Sequence, residues 1–263
     1  MAAAQLGSAR INYEFAGAAR PCLVLLHEIS GTLETWAQVA PAFERRFRVL
    51  RYDQRGAGQS SRIEGAFSID SHIEDLHELL DHLGVGDRCH IAGVAIGAAL
   101  AVRFARLNPD RVGSLVLACP APGVDAKRIG YLEQRAAAVE RDGMIATAEA
   151  SLANSYPLEV RRDQTAFQAY RTRFLANDPK SYAAINRAFA RFDTVPDLPA
   201  IDCPTLVLAG SHDRLRPPAF VRGVAERISR ARYDEIDSGH IMPLQAPVAL
   251  IAAVTAFYDD IAA

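Results

Sequence analysis

Short, continuously apolar segments recur along this chain, and most are followed by a stretch with helical spacing. "PCLVLLHE" (residues 21–28) and "FRVLRYD" (47–53) come first, then "RCHIAGV" (88–94), "GSLVLACP" (113–120) and "PTLVLAGSHD" (204–213), and the more polar "ARYDEID" (231–237) reads as a last strand. Runs of this length without polar alternation are what strands covered on both faces require. Between them lie segments of 3.6-residue period. In "SHIEDLHELLDHLGVG" (71–86), Ile73, Leu76, Leu79, Leu80 and Leu83 form one stripe, Ser71 with Glu74 suggests a capping box, and Gly84 and Gly86 close the segment. "GAALAVRFARLNPDRV" (97–112) stops near Pro109, and "PPAFVRGVAERI" (217–228) and "PVALIAAVTAFYDDIA" (247–262) complete the series. Strand and helix in alternation predict an α/β fold, a doubly wound and mostly parallel sheet with helices on both faces.

The alternation lapses once. Residues 121–197 contain no strand-like run and are rich in Ala, Arg and Glu, as in "YLEQRAAAVERDGMIATAEASLA" and "KSYAAINRAFARFD". The expected organisation is a core of residues 1–120 and 198–263, with 121–197 as a helical cap over the carboxyl edge of the sheet, where such sheets bind ligands.

Composition narrows the function classes. A net charge of −2 and 23% charged residues give no field that points to nucleic acid or an anionic membrane. There is no apolar run of membrane-spanning length. "MAAAQLGSARINYEFAG" lacks the basic and apolar regions of a signal peptide. Cys22, Cys89, Cys119 and Cys203 are far apart, without C-x-x-C spacing, and read as reduced thiols of a cytoplasmic protein. No metal or cofactor motif is present: no H-E-x-x-H, no P-loop, no G-x-G-x-x-G after a strand. The expected partner is a small-molecule substrate. The oligomeric state is not fixed, and a homodimer is compatible with the sequence.

Four places carry chemistry. "LLHEISG" ends one strand and "YDQRGAGQSS" the next. Gly93-Val94-Ala95-Ile96-Gly97 joins a strand to a helix. "GSHDRL" and "DSGHIMP" follow the last two strands. The third has the form of a G-x-S-x-G nucleophile elbow with alanine where the serine stands, and Asp213 and His240 follow it in the order nucleophile, acid, base. With these motifs the chain resembles the α/β-hydrolase family over almost its whole length. "DQRGAGQS" matches that family's D-x-R-G-x-G-x-S, and "DLPAIDCPTLVLAGSHDRLRPP" is similar to the 3-oxoadipate enol-lactonases and the C–C bond hydrolases of aromatic breakdown. The resemblance implies a hydrolase of a small ester, enol-lactone or vinylogous ketone. It places Ala95 at the nucleophile position, Asp213 and His240 as acid and base, and the backbone N–H groups of Ile96 and of Glu28 or Ile29 at an oxyanion hole. Trp36 and Arg135 are expected to bind substrate, and Arg128, Arg171 and Arg187 are further arginines that a substrate carboxylate would suit.

Other residues read as supporting. His27 is expected to hold the oxyanion loop, Asp53, Arg55 and Ser60 to brace the following loop, and His72, His77 and His82 to face solvent. Cys119 reads as a packed thiol. Two departures from the family stay open. Ala95 has no nucleophilic atom: it is an introduced serine replacement, or a native alanine beside which His240 and Asp213 activate water or a substrate proton directly, or the mark of a site that only binds. Glu28 stands where many relatives have glycine. A carboxylate there would repel a developing oxyanion, so Glu28 is expected to turn away, toward an arginine such as Arg55, the alternative being a proton-transfer role.

Overall fold

The computed structural model describes residues 1–17 and 20–262. Eight strands form one sheet in the order β1-β2-β4-β3-β5-β6-β7-β8. They are β1 (Ala2–Leu6), β2 (Ala9–Ala16), β3 (Cys22–Leu26), β4 (Arg48–Tyr52), β5 (Cys89–Val94), β6 (Val112–Ala118), β7 (Thr205–Gly210) and β8 (Ala231–Ile236). From β4 to β8 all neighbours are parallel. The six expected strands are present. The amino terminus adds two that the sequence reading did not pick out: β1 and β2 form an antiparallel hairpin, and β2 joins β4 antiparallel.

The helices are α1 (Ala40–Phe43), α2 (Asp70–His82), α3 (Ile96–Leu107), α4 (Ala126–Asp142), α5 (Ile145–Ser155), α6 (Gln164–Leu175), α7 (Pro179–Phe189), α8 (Pro218–Ala225), α9 (Met242–Gln245) and α10 (Pro247–Ala262). Among the described residues, no helix is long and apolar enough to cross a membrane.

The sheet is apolar on both faces because successive side chains of a strand point to opposite sides. In β3, Val24 and Leu26 enter an apolar cluster with residues of α2, α3 and α8, while Leu23 and Leu25 enter a second with residues of α1, α9 and α10. All five β3 residues are buried, which is why this strand reads as an unbroken apolar run. Helix α2 begins at Asp70 without a side-chain cap, so Ser71 lies inside its first turn and the expected Ser71–Glu74 box is not formed. The buried stripe of α2 also includes His72 and Asp75.

Between β6 and β7 the chain forms α4 to α7 and no strand. Side chains from all four helices line one wall of a cavity, and the loops after β3, β5, β7 and β8 line the other. The carboxyl ends of the central strands thus open into a space roofed by helices.

Candidate active site

At the end of β5 the chain turns directly into α3, and Ala95 sits at the turn with φ 56° and ψ −116°. Few L residues adopt this region, and it costs about 1–3 kcal/mol. Two backbone bonds hold it: Ala95 N–H donates to Ala118 O at 3.0 Å, and Ala121 N–H donates to Ala95 O at 3.1 Å. The flanking glycines are obligatory. A Cβ on Gly93 would lie 2.3 Å from the Gly97 carbonyl, and one on Gly97 would lie 2.3 Å from the carbonyl oxygen of Leu26. The elbow therefore has its full shape with alanine at its apex. Ala95 is 5% exposed, and that surface borders the cavity. Ile96 opens α3, so its N–H has no intrahelical acceptor, and the residue borders the same cavity.

Asp213 and His240 meet across the loops after β7 and β8. His240 Nδ1 is bonded to Asp213 Oδ2 at 2.7 Å, and both residues are buried. Asp213 Oδ1 accepts from the N–H groups of Leu215 and Arg216 at 2.8 and 3.0 Å. Burial opposes ionisation of Asp213, yet the imidazole and these two donors hold its carboxyl below the usual aspartate range. With Nδ1–H committed to the carboxylate, Nε2 of His240 is left as the accepting nitrogen. Backbone N–H of His240 donates to Ser155 O at 3.2 Å, tying the imidazole loop to α5.

Cys119 lies beneath this pair, its Sγ within 4.8 Å of the Asp213 and His240 ligand atoms. Burial, with Asp213 close by, pushes its thiol well above the usual range, so it is packed and inert. Among the described residues this is the one cluster of three metal-ligating side-chain types. The 2.7 Å Asp213–His240 bond already uses the facing atoms of two of them.

The loop after β3 is held by His27. Gln54 N–H donates to His27 Nε2 at 3.0 Å, and Nδ1 then donates to Glu28 O at 2.7 Å. Asp53 accepts from Leu33 N–H, the Asn12 side chain and Gln59 N–H at 2.8 to 2.9 Å, and Ser60 Oγ donates to Asp53 O at 2.6 Å. Arg55 does not reach Glu28. It forks onto Asp75 of α2, with Nε 3.0 Å from Oδ2. Glu28 instead receives the Thr35 hydroxyl at 3.1 and 3.2 Å and lines the cavity, because the turn closed by Gly31 N–H on Glu28 O folds the carboxyl back over Gly31.

The remaining expectations divide. Glu28, Ile29, Ala95, Ile96, Arg128, Arg135 and His240 border the cavity, whose volume is about 460 Å³. Trp36 does not. The 3₁₀ turn Leu33–Trp36, capped by Thr32, directs its indole into the apolar cluster of Leu23, Leu25 and Phe43, where it is 1% exposed. Arg171 pairs with Glu149 at the surface, and Arg187 with Glu133 and Glu140. His82 is exposed and His77 half-buried, but His72 is buried against Phe67, and burial pulls it down to about 3. Arg135 donates to the Tyr182 hydroxyl and stacks over its ring. Arg216, not singled out from the sequence, also lines the cavity, and burial with the neighbouring Arg128 pulls it down to about 10. Its signal was its place three residues after Asp213, on the turn that aims that carboxylate. A larger open groove of about 1080 Å³ runs between residues 62–70 and α7, but Ala95, Asp213 and His240 take no part in it.

The sequence matches the family described as alpha/beta hydrolase fold over residues 21–247. It is 31% identical over 249 residues to a putative carbamate hydrolase RutD of a Caulobacter species, covering 93% of this chain and 92% of that one. It is 27% identical over 248 residues to 3-oxoadipate enol-lactonase 2 of Acinetobacter baylyi, covering 94% and 92%. Among solved structures, it superposes on the malate-bound thermophilic esterase of Thermogutta terrifontis with a TM-score of 0.92 and 26% identity, over 98% of both chains. The enol-lactonase of Burkholderia xenovorans gives 0.91 and 28%, over 98% of this chain and 100% of that one. The chain thus belongs to the α/β hydrolase fold family of enzymes.

Proposed function

We propose that the protein hydrolyses a small ester or enol-lactone at the cavity between Ala95, Ile96 and His240, and that its nucleophile is water activated directly by His240. The observation that carries this reading is the buried Asp213–His240 bond of 2.7 Å beside an elbow that has no side-chain nucleophile. His240 Nε2 takes a proton from water as the hydroxyl oxygen bonds to the carbonyl carbon. The displaced π pair moves onto the carbonyl oxygen, where the N–H groups of Ile96 and of Ile29 or Glu28 receive it. When the C=O re-forms, the C–O bond to the leaving group breaks, and the departing alkoxide or enolate takes the proton from the imidazolium. Asp213 holds the tautomer and balances the transient charge. Arg128, Arg135 and Arg216, which border the cavity, are the cationic groups available to a carboxylate of the substrate. In this reading residues 121–197 serve as a cap on a core of 1–120 and 198–263. The four free cysteines suit a reducing compartment, the cytoplasm.

A second reading is serine-type hydrolysis, for which the preserved elbow backbone at Ala95 is the supporting observation. One comparison tests both: steady-state rates on the same ester and lactone for the parent, Ala95→Ser and His240→Ala. Direct activation predicts a parent rate that falls 10²–10⁴-fold in His240→Ala, with little gain in Ala95→Ser. A gain on the order of 10⁴-fold in Ala95→Ser alone would favour serine chemistry. Equal and negligible rates in all three, with ligand still bound, would leave a binding protein.

A further inference from the structure

Glu28 is 3% exposed, borders the cavity, and forms no ion pair with Lys, Arg or His among the described residues. Its firm donor is a single hydroxyl, that of Thr35, shared between both oxygens. The hydroxyl of Tyr170, bonded to Ser30 at 3.2 Å, stands next to it. A carboxylate offers about four acceptor positions, and two hydroxyl donors leave the rest to whatever fills the cavity. The loop is shaped around this group, since a Cβ on Gly31 would lie 2.5 Å from the Glu28 carboxyl carbon and from both its oxygens. A buried acceptor so prepared and so poorly supplied calls for a donor from outside the protein.

The cavity has an opposite pole. Arg216 gives Nη1 to Leu215 O at 2.8 Å and has only a 3.4 Å contact from Nη2 to Gly123 O, and its Nε is buried without a partner. Burial and the nearby Arg128 depress Arg216, Asp213 acts in the opposite direction, and among the described residues neither arginine has a carboxylate oxygen within ion-pair distance. Glu28 follows β3 and Arg216 follows β7, three intervals apart in the sheet, which is on the order of 14 Å between strand ends. The elbow after β5 lies between them.

From this layout we infer that the cavity selects a dipolar acyl compound, with an N–H donor (amide, carbamoyl or ammonium) on Glu28 and a carboxylate on Arg216 and Arg128, its carbonyl lying over Ile96. The assignment rests on the hydrolase reading only for where the carbonyl sits. The poles themselves are tested by binding, without turnover. Calorimetric titration of the parent with succinamate, 4-oxopentanoate and succinamide separates the two ends, because the ketone replaces only the amide NH₂ by a methyl group, the diamide replaces only the carboxylate, and none of the three carries an ester. Succinamate is expected to bind about tenfold more tightly than either, the size of one charge-assisted hydrogen bond. Glu28→Gln should bring succinamate within threefold of 4-oxopentanoate. Arg216→Gln should weaken both carboxylates alike and leave succinamide unchanged. No preference for succinamate in the parent, which involves no variant, overturns the inference, as does a preference that survives in folded Glu28→Gln. Dipolar selection without hydrolysis would refute the reaction and keep the poles, and hydrolysis without that selection would do the reverse.

Discussion

Replacing Gly97 with alanine tests the elbow most sharply, because the expected effect runs against intrinsic propensity. Gly97 is the second residue of α3, and its φ is not in the left-handed region, so alanine is conformationally allowed there. In an exposed helix the change would stabilise by about 1 kcal/mol. Here the new Cβ would stand 2.3 Å from the Leu26 carbonyl oxygen, 2.7 Å from its carbon and 2.8 Å from the His27 oxygen, where ordinary contact begins at 3.4 Å. All three are backbone atoms, so the start of α3 and the end of β3 must separate by roughly 1 Å. Overpacking of that kind costs about 1–3 kcal/mol, more than the propensity gain. The same separation moves the Ile96 N–H away from the loop carrying Glu28 and Ile29, and a misplacement of about 1 Å lowers the rate by roughly 10²-fold. Urea unfolding followed by the fluorescence of Trp36, the sole and buried tryptophan, measures the first effect, and ester hydrolysis the second. Gly223→Ala in α8, with nothing within 4 Å of its added Cβ, is the control and should gain about 0.5–1 kcal/mol. If Gly97→Ala behaves like the control and keeps full activity, the packing argument for the elbow is wrong.

Two further outcomes follow from buried groups away from the elbow. His72 is held at about 3 by burial, below its usual 6.5, so the unfolded chain binds the extra proton between these values and stability falls as pH drops from 6.5 toward 3. His72→Leu should therefore lose about 3 kcal/mol less than the parent on going from pH 7 to 4.5 in urea titrations, and identical losses would refute the assignment. Asp53→Asn keeps one accepting oxygen and sets an amide NH₂ either against the Leu33 N–H or against the Asn12 and Gln59 donors. It should cost about 2–4 kcal/mol of unfolding free energy, and an unchanged urea midpoint would show that this network braces nothing.

What the sequence reveals follows from how completely each element is buried. The central parallel strands read clearly because both faces meet helices, so every residue of β3 and β7 is apolar or small. The β1–β2 hairpin escapes notice because it lies at the sheet edge, where exposed and buried positions mix and "AAAQL" has little strand character. His72 sits four residues before Leu76 on the buried stripe of α2, and that spacing was the available signal. Trp36 and Glu28 escape for another reason. Their directions are fixed by short turns, one capped by Thr32 and one closed by Gly31, and a turn's exit direction is not periodic. Asp213 and His240 are legible as a pair only through their order after successive strands, since 27 residues separate them.

The bent backbone at residue 95 is held by Gly93, Gly97 and two main-chain bonds, and none of these involves the side chain at 95. The position is in that sense a socket: it presents whatever side chain the gene supplies in one fixed direction, at the edge of the cavity that Ile96 and His240 also border. An alanine codon and a serine codon differ by a single base. Under the proposed reading, the fold can therefore gain or shed a serine nucleophile in one mutational step with the surrounding frame unchanged, and water or hydroxyl chemistry becomes a choice of insert in a common holder.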